Sequence, residues 1–128
     1  MTEVIWIDLP EVLAIHGCQL DEHGGASGVR DDGLLESALA RPQQLFTYGE
    51  PDVFDLAAAY TAGIVRNHPF VDGNKRTGFV VGILFLELNG PTFTASEADA
   101  AQAVFGFAAG EITDDEFAIW LRSNSTPL

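Results

Sequence analysis

The spacing of apolar residues along the chain predicts a succession of helices. Over most of the chain, apolar side chains recur every three or four positions, which is the period of an amphipathic helix. The first predicted helix is capped by Asp8, carries Pro10 near its first turn, where proline is tolerated, and ends at Gly24-Gly25. Ahead of it, residues 4–7 have the character of a short strand.

The next two predicted helices are separated by proline. Asp31 or Asp32 caps the second helix, and Pro42 is expected to stop it because proline cannot continue a helical hydrogen-bond ladder. A loop over residues 42–51 then leads to an alanine-rich third helix over residues 53–66.

The fourth predicted helix, residues 74–88, is apolar on nearly every side. Such a helix belongs in the middle of a bundle. Asn89-Gly90 follows it and is typical of a left-handed C-cap. Residues 91–94 are a candidate short strand that could pair with residues 4–7.

Two helices complete the chain. Ser96 opens the fifth, which ends at Gly110, and Thr113 with Glu116 forms a capping box for the last. The side chains expected to face inward from that last helix are Phe117, Trp120 and Leu121. With no repeat or linker in view, the pattern predicts one all-α domain over residues 1–128, built from about six helices around a central buried helix.

Composition narrows the class of protein. The chain has 128 residues, of which 47% are hydrophobic, and one compact domain of this size needs no metal or disulfide to fold. The formal charge of −13, from 19 acidic and 6 basic residues, weighs against direct nucleic-acid binding. The start lacks a signal-peptide pattern, and no apolar stretch approaches the ~20 residues of a membrane span. We therefore expect a cytoplasmic protein, with the single Cys18 as a buried packing residue.

The chemistry concentrates in residues 66–77, which join a helix end to the start of the buried fourth helix. Arg66, Lys75 and Arg76 are three of only six basic residues in the chain. Free amides at a helix start, beside a permissive Gly73, form an anion site. Cations at that end oppose the helix dipole, so their presence indicates a bound anion.

Two further residues of the segment carry reactive groups. Asp72 offers a carboxylate of the kind that holds Mg²⁺ together with phosphate oxygens, and His68 can accept a proton from a hydroxyl. Taken singly, Asp72-Gly73 is also an ordinary turn and His68 an ordinary loop residue. A Walker phosphate loop is excluded, since the Gly-Lys-Ser/Thr sequence and its spacer are absent. His16 and His23, on one predicted helix, are interpreted as a packing or surface pair and not as a metal site.

The stretch from His68 to Arg76 reads His-Pro-Phe-Val-Asp-Gly-Asn-Lys-Arg and resembles the Fic motif. Its lysine is typical of the death-on-curing (Doc) branch of the Fic/Doc superfamily, the toxins of toxin–antitoxin pairs. Further stretches are also similar to Doc proteins: residues 24–25, 28–31, 35–42, 85–90, 109–112 and the final helix.

This resemblance implies a helical bundle whose central helix follows the motif. It also implies that ATP and Mg²⁺ bind there, with His68 as the general base and Asp72 as the metal ligand. The residues expected to bind the nucleotide phosphates are Gly73, Asn74, Lys75 and Arg76. Arg76 is also expected to take part in catalysis. Arg66 is expected to aid phosphate or substrate binding.

Two departures from the adenylyltransferase form of the motif bear on the reaction. Lys75 replaces a glycine and fills part of the anion hole, and Phe79 replaces a second arginine. The resemblance to Doc proteins of this pattern implies that ATP binds in the orientation opposite to that in the adenylyltransferases. It also implies that the γ-phosphate is transferred to elongation factor Tu. We therefore expect a protein Ser/Thr kinase that arrests translation. AMP transfer and an inactive Fic-like binding module remain the alternatives.

Regulation is expected to come from a partner. The inhibitory pattern Ser/Thr-x-x-x-Glu-Gly/Asn of some Fic enzymes is absent, because Thr113 and Glu116 have the spacing of a helix cap. The resemblance therefore implies a separate Phd-like antitoxin whose segment lies in a groove of this domain.

Overall fold

A computed structural model describes residues 3–126, and within that range the fold is all-α, as predicted. The helices are α1 (Leu9–His23), α2 (Asp32–Tyr48), α3 (Val53–Asn67), α4 (Asn74–Leu88), α5 (Glu97–Ala108) and α6 (Asp114–Ser123). A two-stranded antiparallel sheet joins β1 (Thr92–Phe93) to β2 (Ser125–Thr126). No helix of the described part is long and apolar enough to cross a membrane.

Side-chain caps fix where most of these helices begin. Five of the six N-cap residues accept a hydrogen bond from the third helical amide: Asp8, Asp31, Asp52, Ser96 and Thr113. The predicted capping box of Thr113 and Glu116 is confirmed. Helix α4 is the exception, because its N-cap is Gly73, which has no side chain to offer. The start of α4 is therefore left with uncapped donors.

The most buried helix is α3, not α4 as the sequence indicated. Every residue from Leu56 to Val65 of α3 is buried. This helix packs against α2, α4, α5 and α6. Gly63 lets the backbone of α2 approach α3 closely, whereas several large side chains of α4, including Ile83 and Leu84, are only partly buried. Small side chains thus decide which helix is central.

The prediction that Pro42 stops α2 is wrong, and the loop expected over residues 42–51 is correspondingly short. Pro42 lies buried inside α2. It withholds the amide that would bond to the Ala38 carbonyl, and Gly63 of α3 packs against that oxygen. A Cβ at Gly63 would stand only 2.8 Å from it. Close packing of α2 on α3 therefore offsets the lost hydrogen bond.

Strand β1 forms as expected, but with a different partner. Thr92 lies opposite Thr126 in the sheet, and residues 4–7 form no strand. Side chains satisfy that segment instead: the Ile5 amide donates to Asn89 Oδ1 at 2.8 Å, and the Ile7 amide donates to the Tyr60 hydroxyl at 2.9 Å. A strand partner is therefore unnecessary.

Two smaller expectations had different outcomes. Of the Asn89-Gly90 pair expected to form a left-handed C-cap, Gly90 has a positive φ of 132°, whereas Asn89 has a φ of −105°. Cys18 is exposed on α1 and is not a packing residue. Position 18 lies off the stripe that α1 buries, which consists of Val12 and His16.

Candidate active site

The loop between α3 and α4, residues 68–73, is held by the side chain of Asn74. The Phe70 amide donates to Asn74 Oδ1 at 2.9 Å, and Asn74 Nδ2 donates to the Phe70 carbonyl at 3.0 Å. Phe70 is itself part of the loop, and its side chain is fully buried. Both ends of the Asn74 side-chain amide thus hold the loop, while its backbone N–H donates to no protein atom in the described part of the chain. We name residues 68–73 the motif loop.

A second segment, residues 28–31, runs beside the motif loop. The Arg30 and Asp31 amides both donate to the Pro69 carbonyl, at 2.6 and 3.1 Å, and the Val71 amide donates to the Gly28 carbonyl at 3.0 Å. These hydrogen bonds join the motif loop to the segment that precedes α2. The loop is therefore fixed by backbone pairing as well as by Asn74.

His16 is a residue of this site that sequence reasoning missed. Its side chain is buried, stacks on the Phe70 ring, and donates from Nε2 to the Asp72 carbonyl at 2.8 Å. The expectation of a packing or surface pair with His23 missed this hydrogen bond. The available signal was the four-residue spacing from Val12, which places His16 on the buried stripe of α1.

Most of the predicted site residues line one cleft of about 610 Å³. Its floor is the start of α4, and its walls come from α1 and α5. The predicted residues that line it are His68, Asp72, Gly73, Asn74, Lys75 and Arg76. Within residues 3–126 the amides of positions 74–76 donate to no protein atom, so three N–H groups are free at the positive end of the α4 dipole. We name this space the motif cleft.

The two cations of the motif cleft are not neutralised by carboxylates. Lys75 and Arg76 have no acidic partner within 4.0 Å in the described part of the chain, whereas Arg41, Arg66 and Arg122 are all in ion pairs. The contrast is informative because the chain carries 19 acidic residues. Leaving two cations unpaired at a helix N-terminus favours an anionic ligand.

Three carboxylates line the cleft: Glu22 of α1, Glu97 of α5 and Asp72, which lies two residues before α4. Asp72 Oδ1 accepts from the Gly73 amide at 2.8 Å, and its Oδ2 lies 3.4 Å from the Ala26 amide. Gly25 has a φ of 123°, which disfavours a side chain, and a Cβ there would stand 2.8 Å from Oδ2 and displace the carboxylate. A carboxylate offers about four acceptor positions, which leaves capacity for a cation.

The groups around Asp72 fit a cation that binds together with phosphate. Residues 3–126 hold no group of three or more His, Cys, Asp or Glu side chains placed to bind a metal. The Asp72 carboxylate, next to the free amides of α4, matches Mg²⁺, which is commonly bound by one or two carboxylates together with substrate phosphates. The residues present therefore fit a nucleotide-bound Mg²⁺.

Arg66 does not belong to the motif cleft. Its guanidinium forms an ion pair with Asp114, which also receives a hydrogen bond from Arg41 at 2.6 Å. The same guanidinium lies 4.5 Å from the centroid of the Phe107 ring. The expected role of Arg66 in phosphate binding thus has no support in its position, which instead joins α3 to α5 and α6.

A second cavity, of about 570 Å³, lies beside Arg41 and is lined by acidic residues. The carboxylates on its wall are Glu50, Asp55, Asp114 and Asp115. Their charge makes it unsuited to a phosphate, and it contains no residue of the motif.

The shifted pKa values lie away from the motif cleft. Burial raises the pKa of Tyr60 to about 12. Burial also opposes ionisation of Asp52, but hydrogen bonds from the Asp55 amide and from Arg122 outweigh it and lower the pKa of that carboxyl. Both groups serve the fold: Tyr60 holds residue 7, and Asp52 caps α3.

Comparison with known proteins agrees with this geometry. A family model described as Fic/DOC family matches residues 6–86. The chain is similar to the protein described as protein kinase doc of Escherichia phage P1, with 35% identity over 113 residues that cover 88% of this chain and 89% of the phage protein. It is also similar to a toxin Doc of Mycolicibacterium smegmatis (strain ATCC 700084 / mc(2)155), with 45% identity over 106 residues that cover 80% of this chain and 77% of that protein.

Proposed function

Because this chain belongs to the Fic/DOC family, in its Doc branch, we propose that it is a toxin that transfers the γ-phosphate of ATP to a serine or threonine hydroxyl of a protein. The observation that carries the proposal is the start of α4. There, three free amides and the unpaired cations Lys75 and Arg76 line the same cleft as His68. A relative described as a protein kinase supports the choice of reaction.

In the proposed reaction the protein positions groups and neutralises charge. The α4 amides with Lys75 and Arg76 bind the phosphate chain, and His68 accepts the proton of the target hydroxyl. The hydroxyl oxygen forms a bond to the γ-phosphorus as the bond from that phosphorus to the β,γ-bridging oxygen breaks, and ADP leaves. Asp72 would hold a Mg²⁺ ion that binds together with the nucleotide, and that ion would supply positive charge to the phosphate oxygens.

Lys75 and Phe79 favour phosphate over AMP transfer. Lys75 is exposed at the cleft, and its ammonium lies 5.5 Å from the centroid of the Phe105 ring, in space that a glycine would leave open. Phe79 packs edge-on against Phe93, with centroids 5.6 Å apart, and provides no cation. With the outer-phosphate space reduced, ATP enters reversed, with its γ-phosphate nearest His68.

The partners follow from the same proposal. The target is a cytoplasmic protein of the translation machinery, with elongation factor Tu as the first candidate. A Phd-like antitoxin that binds a groove of this domain provides the control. Expression of the chain alone should then arrest bacterial growth, and co-expression of its genomic neighbour should relieve the arrest.

The deciding experiment uses ATP radiolabelled at either the α- or the γ-phosphate. The protein is incubated with purified elongation factor Tu and, separately, with a bacterial lysate. Label from the γ-position should appear on a protein serine or threonine, and label from the α-position should not. His68→Ala, which removes the proposed base, is the inactive control, while Lys75→Gly should lower phosphate transfer.

The alternatives are separate outcomes of the same assay. Transfer of α-label by the unaltered protein would identify an adenylyltransferase with the same site. Absence of any label, together with growth arrest that persists in His68→Ala, would identify an inactive binding module.

A further inference from the structure

His68 has an unusual backbone conformation. Its φ and ψ are both 53°, in the left-handed region, and within residues 3–126 it is the only non-glycine residue with positive φ. This conformation is uncommon for a residue with a side chain, and where such a residue adopts it at the end of a helix, the surrounding contacts help to hold it. It determines the direction in which the imidazole leaves the chain at the end of α3. Whatever enforces it therefore also sets the position of the proposed base.

The side chain of Arg30 contacts the backbone at this point. Its Nε donates to the His68 carbonyl at 2.7 Å, and its Nη2 donates to the Asn67 carbonyl at 3.0 Å. One planar guanidinium thus binds two consecutive carbonyls at the end of α3. The Arg30 amide additionally donates to the next carbonyl, that of Pro69, at 2.6 Å.

Arg30 is also unpaired in a chain rich in acid. Among the described residues no carboxylate lies within 4.0 Å of it, although Asp31 and Asp32 follow it directly in sequence. It does not line the motif cleft either, so contact with the nucleotide does not explain its position. Its side-chain hydrogen bonds go to the backbone around His68.

We propose that Arg30 is the positioning residue of the site: its guanidinium holds residue 68 in the left-handed conformation and so directs the His68 imidazole into the motif cleft. This rests on the proposed function only in that His68 is the base. A purely structural reading, in which Arg30 caps the negative end of α3, predicts lost stability alone. The positioning role predicts, in addition, a loss of kcat that is not explained by lost stability.

Two variants test the positioning role. Arg30→Lys keeps the charge but replaces the planar fork by one point donor, which cannot satisfy both carbonyls in the same way. Arg30→Ala removes the donors and leaves space for added guanidinium ion. Arg122→Lys and Arg122→Ala are the matched controls, since Arg122 pairs with Asp52 at the opposite end of α3.

The measurement is γ-label transfer at varied ATP concentration, with the folded fraction determined for each variant. Both Arg30 variants should lose at least about tenfold in kcat while KM for ATP changes less than about twofold, because the phosphate-binding groups of α4 are untouched. Guanidinium ion, below the concentration that starts unfolding, should restore activity to Arg30→Ala and not to the Arg122 variants. A kcat of Arg30→Lys within twofold of wild type, or a loss that only follows the folded fraction and is not rescued, would overturn the proposal.

A second readout does not depend on activity. The NMR Cα shift of His68 and the hydrogen exchange of the Val71 amide report the loop conformation in the protein alone. Arg30→Lys should move the His68 shift away from its left-handed value, and an unchanged shift would contradict the positioning role. If the wild type transfers no label while the shift moves as expected, the proposed function fails and the positioning role survives.

Discussion

The imidazole of His16 stacks on the ring of Phe70, with the ring centroids 3.8 Å apart and the planes only 11° from parallel. Because Phe70 belongs to the motif loop and His16 to α1, this contact ties the loop to a helix more than fifty residues earlier in sequence. His16 Nε2 also donates to the Asp72 carbonyl. The pair therefore couples the packing of α1 to the placement of the proposed metal ligand.

Two substitutions at His16 should distinguish how much ring stacking and the hydrogen bond each contribute to stability. His16→Phe keeps an aromatic ring on Phe70 but leaves the Asp72 carbonyl without its donor, so unfolding free energy should fall by about 1 kcal/mol. His16→Ala loses the packing as well and should cost about 2 kcal/mol or more. Urea unfolding measures both. Equal stability of His16→Phe and wild type would show that the hydrogen bond contributes nothing.

Close approach of Gly25 to Asp72 predicts a selective effect on the site. Gly25 has a φ of 123°, and a Cβ there would stand 2.8 Å from Asp72 Oδ2. Gly25→Ala should therefore displace the carboxylate and weaken Mg²⁺-dependent ATP binding, measured by calorimetry. Gly17→Ala is the control, because nothing lies within 4 Å of its Cβ position and its φ is ordinary. That helical change should add about 0.5–1 kcal/mol of stability and leave ATP binding unchanged.

The helical fold could be predicted because local signals determine most of it. Caps such as Asp8 and Thr113 and the apolar period set the helix ends. Pro42 was misjudged because its effect is outweighed by packing against Gly63, a contact between distant parts of the chain. No local signal could show that residues 4–7 are satisfied by the side chains of Tyr60 in α3 and of Asn89, which follows α4.

The candidate site could be predicted only in part. The contiguous motif placed His68 and the start of α4 in one cleft without knowledge of the fold. Arg66 was expected to aid phosphate or substrate binding on the strength of the resemblance, yet it lies on the face of α3 that meets Asp114. His16 and Arg30 act on the loop from distant positions, so their roles emerge only in three dimensions.

Two buried threonines should respond oppositely to the same substitution. Thr61 Oγ1 donates to the Gly78 carbonyl at 2.8 Å, whereas the buried Thr77 Oγ1 has no partner among the described residues. Thr61→Val should cost about 1 kcal/mol of unfolding free energy. Thr77→Val removes an unsatisfied hydroxyl at nearly constant shape and should be neutral or stabilising. Urea unfolding of both tests this, and a loss at Thr77 as large as that at Thr61 would show that the Thr77 hydroxyl has a partner in solution.

The buried hydroxyl of Tyr60 predicts a loss of stability in alkali. Burial raises its pKa from 10.0 to about 12, so the folded protein holds this proton more tightly than the unfolded chain does. The resulting stability is fully present below pH 10 and is lost as pH rises through about 12. Thermal melts across that range should show a fall that Tyr60→Phe lacks. Parallel curves for the two proteins would contradict the assignment.

Arg66 and Arg76, the arginines that flank the motif loop in sequence, should separate stability from ligand binding. Arg66 pairs with Asp114 and lies over Phe107, so Arg66→Gln should lower unfolding free energy by about 1 kcal/mol and leave ATP affinity unchanged. Arg76 has no carboxylate partner in the described part and lines the motif cleft, so Arg76→Gln should leave stability within about 0.5 kcal/mol and weaken ATP binding at least about tenfold. Urea unfolding measures the stability of each variant, and titration with ATP measures its affinity for the nucleotide. If Arg66→Gln weakens ATP binding as much as Arg76→Gln does at equal folded fraction, Arg66 reaches the nucleotide in solution and its pairing with Asp114 must break on binding.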